Sequence, residues 1–229
     1  MHGNIKIKLK IHHFLFMIFF LSFTSCGSIK IIEKPIIFDQ ERAKLSLDYL
    51  EKRYGLIQES PDIEPKMVVI HWTSIPTLEK SFLAFNSVKL PNWRPEIADA
   101  SALNVSSQFL IDQDGTIYRL LPETILARHV IGLNHCAIGI ENVGGTGDKT
   151  LTKKQLKANI KLIRYLKNKY QNIDYILGHF EYTLFENHEL WLEIDDGYRT
   201  KKTDPGKQFI TDIRKGLKKY DWKPVPNKK

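Results

Sequence analysis

The sequence predicts an α/β protein in which a central mixed β-sheet is flanked by helices. Two short, apolar and β-branched runs, Met67–Ile70 and Tyr175–Gly178, have the composition of buried strands. Residues 107–111 and 116–120 are strand-like as well, and the Asp-Gln-Asp-Gly turn at 112–115 between them is a good hairpin signal. Segments with helical spacing separate these runs. Strands that alternate with crossover helices form a sheet with helices on both faces.

Four segments carry apolar residues at three- and four-residue spacing, which predicts amphipathic helices. Thr152 and Gln155 have the pattern of a capping box at the start of the longest one. Gly55 ends the helix predicted over residues 39–54. The apolar faces of the two remaining helices consist of Leu78, Phe82 and Phe85, and of Phe209, Ile213, Leu217 and Tyr220. A further strand is predicted over residues 137–142.

Residues 1–25 have the pattern of a secretory signal. Lysines precede the apolar run 14–21, and small residues lead from it to Cys26. The run is shorter than the roughly 20 residues that a membrane span needs. Small residues directly before a cysteine resemble the signal of bacterial lipoproteins, in which that cysteine is lipidated, although Phe23 stands where this signal usually carries Leu. We therefore expect an exported chain that is anchored to a membrane through a lipid on Cys26 and faces the periplasm or the cell surface.

The alternative is an uncleaved or conventionally cleaved signal, which also exports the protein. After the signal, residues 26–65 are predicted to form a tether and an N-terminal helix, residues 66–220 the main domain, and residues 221–229 a tail. Residues 27–38 show no sustained period, and residues 58–65 contain prolines and acids typical of a linker. The sequence leaves open whether the first helix packs on the main domain.

Charge and cysteine content limit the classes of partner. The formal net charge is +8, of which three charges lie in the expected signal, and a basic chain favours an anionic polymer or a membrane surface. No nucleic-acid-binding module is present and the lysines are dispersed, so we expect no nucleic-acid partner. If Cys26 is lipidated, Cys136 has no disulfide partner and is expected to be a small buried apolar residue. We expect a monomer.

His71, His179 and Asp204 are candidate metal ligands. Each histidine ends an apolar strand, and the aspartate lies just ahead of a helical pattern. Two neutral imidazoles and one carboxylate match the ligands of catalytic zinc, which keeps a fourth position open for water. Their separation in the chain enforces no geometry, so the alternatives are hydrogen-bonded core histidines and an aspartate that caps a helix. If the fold brings the three together, the protein is a metallohydrolase.

Glu141 and Lys202 are the candidate catalytic groups. Amide hydrolysis needs a group that takes the proton of water and passes it to the leaving nitrogen, and Glu141 ends an apolar strand directly before a glycine-rich loop. Lys202 can stabilise the oxyanion that develops on the attacked carbonyl. The alternatives are an ordinary acid at a strand end and an inward-pointing Lys201 in place of its neighbour.

Six stretches in register resemble the zinc-dependent N-acetylmuramoyl-L-alanine amidases, whose fold is shared with peptidoglycan-recognition proteins. They are residues 68–73, 109–118, 127–129, 138–141, 178–179 and 202–206, within a span of about residues 66–215. The resemblance implies an enzyme that cleaves the amide between N-acetylmuramic acid and L-alanine in peptidoglycan or muropeptides. It further implies zinc held by His71, His179 and Asp204, a catalytic Glu141, a Lys202 near the scissile carbonyl, and a His129 in the substrate groove. The alternative for His129 is a structural role.

Two other functions stay open at this point: a peptidoglycan-binding module without turnover, and a metallopeptidase that cuts within the stem peptide. The chain also departs from the family pattern in two places. Trp72-Thr73 follow the first ligand, and the segment 180–201 is longer than in many members. We expect this insertion at the rim of the site, where its six acids could select a cationic group of the substrate; the alternative is a solvated surface loop.

Overall fold

A computed structural model describes residues 29–92 and 95–227. The predicted signal and Cys26 lie outside the described residues. The elements in chain order are β1 (Ile31–Glu33), α1 (Gln40–Tyr54), β2 (Met67–Ile70), α2 (Leu78–Asn86), α3 (Pro95–Ala98), β3 (Phe109–Ile111), β4 (Ile117–Arg119), β5 (Ala137–Asn142), α4 (Lys153–Lys169), β6 (Tyr175–Gly178), a 3₁₀ helix (His179–Phe185) and α5 (Lys207–Gly216). No helix in the described ranges is both long and apolar enough to cross a bilayer.

The strands form one mixed sheet in the order β1-β4-β3-β5-β2-β6. Only β3 and β4 pair antiparallel, as the predicted hairpin, and the other neighbours are parallel. Helices cover both faces of the sheet, so the predicted fold class is confirmed. The predicted capping box is present as well, with the side chains of Thr152 and Gln155 each accepting a hydrogen bond from the other's backbone N–H.

The two faces of the sheet carry different helices. Val68 and Ile70 of β2 pack in the core beneath α4 and α5. Met67 and Val69 point to the opposite face. The other clusters on that side of the sheet include residues of α1 and α2. Because side chains alternate along a strand, the residue that follows Ile70 lies on the α1 and α2 side. This alternation places the candidate site on one face and leaves α4 on the other.

The segment from residue 29 to α1 is part of the fold rather than a tether. β1 pairs in parallel with β4, and Ile36 is buried beside Phe85. The predicted tether is wrong for this segment. A strand of three residues at the edge of a sheet is too short to show a repeating hydrophobic pattern in the sequence. The predicted first helix is confirmed, with Asp39 as its N-cap and Gly55 in the left-handed conformation at its end.

The first helix also packs on the main domain, which settles the question that the sequence left open. Tyr49, Leu50 and Tyr54 are buried in one cluster with residues from beyond the predicted linker. Arg42 is buried too, and its guanidinium donates to the carbonyl oxygens of Phe85, Asn86 and Ser87 at the end of α2 at 3.0, 3.1 and 2.6 Å. α1 therefore braces the helix that borders the candidate site.

Cys136 is buried, as expected for a small apolar residue. Burial raises the pKa of its thiol to about 12. Since the thiolate is the nucleophilic form, this cysteine offers no nucleophile at neutral pH.

Candidate active site

Three of the candidate residues lie side by side in one row across three adjacent strands. In the parallel ladders, Ile70 of β2 aligns with Ile140 of β5 and with Gly178 of β6. The row one residue further along consists of Glu141, His71 and His179. The ladder continues through this row, because the backbone N–H of His71 donates to the carbonyl of Ile140 at 2.9 Å. Parallel strands in register turn equivalent residues to the same face, so these side chains converge on the α1 and α2 side.

Asp204 reaches the row from the loop before α5. Its carbonyl accepts a hydrogen bond from the N–H of Phe180 at 3.1 Å, which fixes the loop beside the end of β6. The N-cap of α5 is Gly206, with a φ of 84°. The alternative reading of Asp204 as a helix cap is therefore wrong, and its carboxylate turns to the histidines instead.

His71, His179 and Asp204 meet as a triangle of ligand atoms. The Nδ1 atoms of the two histidines are 2.9 Å apart, and Asp204 Oδ2 lies 3.2 Å from His71 Nδ1 and 3.0 Å from His179 Nδ1. Tetrahedral zinc with bonds of about 2.0–2.1 Å separates its ligand atoms by roughly 3.3 Å. All three residues are buried. Among the described residues, they form the cluster of His, Cys, Asp and Glu side chains whose ligand atoms lie close enough together to hold a metal ion. The residues present thus fit a zinc ion in donor type and spacing.

A chain of imidazoles fixes which nitrogen of His71 is free to bind. His129 Nε2 lies 3.2 Å from the carbonyl oxygen of Ala137, and His129 Nδ1 lies 3.1 Å from His71 Nε2. A carbonyl only accepts, so Nε2 of His129 carries the proton and Nδ1 accepts one from His71 Nε2. His71 Nδ1 is then left unprotonated and faces the other two ligands. This is the tautomer that a metal ligand requires.

Gly139 of β5 makes room for this chain. A Cβ at Gly139 would lie 2.9 Å from two ring atoms of His129. The backbone there is also held by Gln108, whose Oε1 accepts from the N–H of Gly139 at 2.7 Å. The glycine of the Ile-Gly-Ile-Glu stretch therefore lets the His129 ring lie directly against the strand.

Electrostatics favour the ionisation states that metal binding needs. Burial, followed by the charge of His71, lowers the pKa of His179 to about 4. Burial likewise holds the pKa of His129 well below its ordinary value. Burial alone would raise the pKa of the Asp204 carboxyl, but the neighbouring His179 and His71 hold it well below its usual range. At neutral pH the site therefore presents neutral imidazole from His179 and His129 and an ionised carboxylate.

The triangle lies in a cavity of about 470 Å³ that also contains the candidate catalytic groups. Glu141 and Lys202 both line it. Trp72 forms part of a wall next to Gly145, where a Cβ would lie within 2.4 Å of the indole. His129 lines the cavity too, but both of its ring nitrogens already face protein atoms. The sequence predicts that His129 contacts substrate. Such a contact can involve the face of the imidazole ring but not a ring nitrogen.

The insertion 180–201 is packed onto the domain and reaches the cavity through Tyr198 and Thr200. Trp191 covers Gly132, where a Cβ would lie 2.6 Å from its ring, and the OH of Tyr198 accepts from Arg128 at 3.2 Å. The expected position of the insertion at the rim is confirmed. The alternative of a solvated loop is wrong for these residues.

Four of the insertion's six acids have a role other than the predicted selection of a cationic group. Glu181 pairs with Arg214 at 2.6 Å, Glu186 with Arg199 at 2.9 Å, and both Glu193 and Asp195 pair with Arg53 at 2.6 and 3.2 Å. None of the six acids, all of them in the described chain, lines the cavity. Four of them are neutralised by the protein's own arginines, so they stabilise the insertion rather than select a cation.

Replacing Arg53 tests this role of the acids. Arg53→Met should lower the free energy of unfolding by about 3 kcal/mol, because it leaves the buried carboxylate of Glu193 without its cation. Lys44→Met breaks an exposed pair with Asp48 on the same helix and should cost less than about 1 kcal/mol. Urea unfolding of both variants measures the difference. Equal losses would contradict the structural role of the Arg53 pair.

Comparisons with known proteins identify a family and solved structures that the chain resembles. The N-acetylmuramoyl-L-alanine amidase family matches residues 61–207. Two solved structures of amidases from Clostridium intestinale URNW, LysC and the endolysin LysCS, are each 24% identical with a TM-score of 0.51; they cover 83% and 82% of this chain and 99% and 95% of their own. The human recognition protein PGRP-IBETAC is 19% identical with a TM-score of 0.46, over 67% of this chain and 85% of its own. No curated protein sequence matches the chain.

The likeness to the two Clostridium structures shows a shared fold. The family match spans well over half of the sequence, including every strand from β2 to β6. The chain belongs to the N-acetylmuramoyl-L-alanine amidase family.

Proposed function

We propose that the protein is a zinc-dependent hydrolase of the amide between N-acetylmuramic acid and L-alanine in peptidoglycan or muropeptides. The observation that carries the proposal is the triangle of His71 Nδ1, His179 Nδ1 and Asp204 Oδ2, with sides of 2.9 to 3.2 Å, in the cavity that Glu141 and Lys202 also line. The family match supports the amide as the bond that is cleaved.

Zinc would be held by the two imidazoles and the carboxylate. When bound in a site with an open position, this metal supplies a Lewis acid and lowers the pKa of its water to about 7. His129 contributes by holding His71 in the binding tautomer through the contact at 3.1 Å. It is a positioning residue in this proposal, since it acts on a ligand rather than on the substrate.

Glu141 is the proton carrier of the proposal. Two observations support this role: Glu141 follows Ile140 in the ladder as His71 follows Ile70, and it lines the same cavity as the metal ligands. It takes a proton from the attacking water and passes it to the nitrogen of L-alanine, which leaves as an amine. Lys202 supplies a cation in the same cavity for the negative charge that develops on the attacked carbonyl oxygen.

Two alternatives lead to different products. A binding module without turnover needs no metal, whereas here three buried donors converge on one point. A metallopeptidase that cuts within the stem peptide would use the same metal chemistry on another bond. Only the amidase releases stem peptides that begin with L-alanine and leaves the glycan intact.

We propose further that the protein acts outside the cytoplasm, anchored by a lipid on Cys26. The support is the pattern of residues 1–25 in the sequence, and the substrate of the proposed reaction is in the cell wall. Globomycin treatment of cells that express the chain tests the anchor, because it blocks lipoprotein maturation and should leave the signal attached. Normal processing in its presence would contradict lipidation.

A digest of purified peptidoglycan tests the reaction and the role of Glu141 together. With zinc, the chain should release peptides headed by L-alanine, and a chelator should abolish the release. Glu141→Gln should lower the rate by at least about 100-fold, because proton transfer is lost, while bound zinc is unchanged. His179→Ala should lose zinc and activity together. Mass spectrometry of the products and a zinc assay of each variant give the readouts.

Full turnover by Glu141→Gln would refute the proton-transfer role. Binding of peptidoglycan without release of peptide, in the presence of zinc, would favour the recognition module. Cleavage that leaves L-alanine on the glycan would favour the metallopeptidase.

The adjacent lysines 201 and 202 provide a matched pair for the oxyanion role. Lys202→Met should lower kcat by about 100-fold or more, because one donor to the oxyanion is removed. Lys201 is exposed and does not line the cavity, so Lys201→Met should keep the wild-type rate. Steady-state release of peptide from a soluble muropeptide measures both. A loss in the Lys201 variant equal to that of its neighbour would contradict the assignment.

A further inference from the structure

Helix α4 carries six lysines and one arginine and no acidic residue. Lys154, Lys157, Lys161 and Arg164 are all exposed and recur at three- and four-residue spacing, so they form one basic stripe along the helix. Like charges at this spacing repel each other and weaken a helix. Helix formation alone thus does not favour this charge pattern, and an anionic partner would neutralise it.

The stripe forms one wall of a surface groove of about 820 Å³. The other wall consists of Ile29, Lys30 and Ile32 at the first strand, together with the turn at Asp114. Five cations and one acid line the groove. Hydrogen bonds from Thr116 chiefly lower the pKa of the acid, Asp114, and the charge of Lys154 lowers it further. The groove thus combines an excess of positive charge with three isoleucines, Ile29, Ile32 and Ile117.

The central cations of the stripe are not neutralised by the fold. Within residues 29–92 and 95–227, Lys157 and Lys161 form no ion pair. The lysines at the end of the same helix do so: Lys167 pairs with Asp174 at 3.5 Å and Lys169 with Glu123 at 3.3 Å. The unpaired charge is therefore concentrated on the part of α4 that borders the groove.

The position of the groove relates it to the start of the chain and to the candidate active site. Ile29, the first described residue, lines the groove, and Cys26, the proposed site of lipidation, precedes it by three residues in the sequence. α4 packs on the face of the sheet that carries Val68 and Ile70, opposite the face of His71. A surface that contacts α4 would leave the cavity of the active site open on the far side.

We propose that the basic stripe of α4 and the adjoining groove bind an anionic phospholipid surface and orient the active site away from it. Lysines near an anionic bilayer gain electrostatic attraction within a Debye length. The isoleucines that line the groove favour a bilayer over a soluble anionic polymer, which has no apolar layer for them. This inference goes beyond amide hydrolysis and depends on none of its steps.

Vesicle binding by the full chain tests the proposal. Vesicles of phosphatidylcholine alone are compared with vesicles that also contain phosphatidylglycerol, at low and high salt. Any binding through the N-terminal segment is common to both kinds of vesicle, so the difference in affinity between them measures the electrostatic contribution. We expect tighter binding to the anionic vesicles, lost at high salt. The double variant Lys157→Gln/Lys161→Gln should weaken that binding by roughly 30-fold, from about fivefold per lysine.

The matched control is Lys52→Gln/Lys80→Gln, which removes the same charge from exposed positions of α1 and α2 on the opposite side. It should bind the anionic vesicles almost as the wild-type chain does. Equal binding to both kinds of vesicle, or equal losses in the two double variants, would overturn the proposal. So would binding of soluble polyphosphate through Lys157 and Lys161 without a preference for anionic vesicles. Because no hydrolysis is measured, these outcomes are independent of the proposed amidase activity.

Discussion

The parallel pairing of β2 with β5 and β6 is the constraint on which the rest of the site depends. Each pairing fixes one relative register, and together they place Glu141, His71 and His179 in a single row. A slip of one residue in either ladder would turn a side chain to the face of α4. The buried apolar side chains of β2 prevent that slip, because both faces of the strand are packed. The core thus determines the geometry of the ligands before any metal binds.

Hydrogen bonds around His71 fix a further property of the site, the tautomer of the His71 imidazole. A backbone carbonyl fixes the tautomer of His129, and His129 in turn fixes that of His71. The arrangement needs a position without a side chain on β5, which Gly139 supplies. The same sheet separates the two surfaces for which we propose different partners. The cavity faces one side, and the basic stripe of α4 faces the other.

Local patterns made much of the fold predictable. The capping box at Thr152, the hairpin around residues 112–115 and the left-handed Gly55 each arise from neighbouring residues, and all are observed. The metal triad could be proposed from residue types and family stretches, but its distances could not. Contacts between distant segments were missed. Arg53 neutralises acids that lie about 140 residues away, which no local pattern reveals, and a three-residue edge strand shows no period.

X-ray absorption at the zinc edge of the metal-loaded chain tests the central claim most directly, that His71, His179 and Asp204 form one zinc site. We predict two imidazole nitrogens and oxygen ligands at about 2.0–2.2 Å in the wild-type chain, and no bound zinc in His179→Ala. A sulfur ligand at about 2.3 Å would contradict it, since the thiol of Cys136 is buried away from this site. So would a spectrum without imidazole scattering.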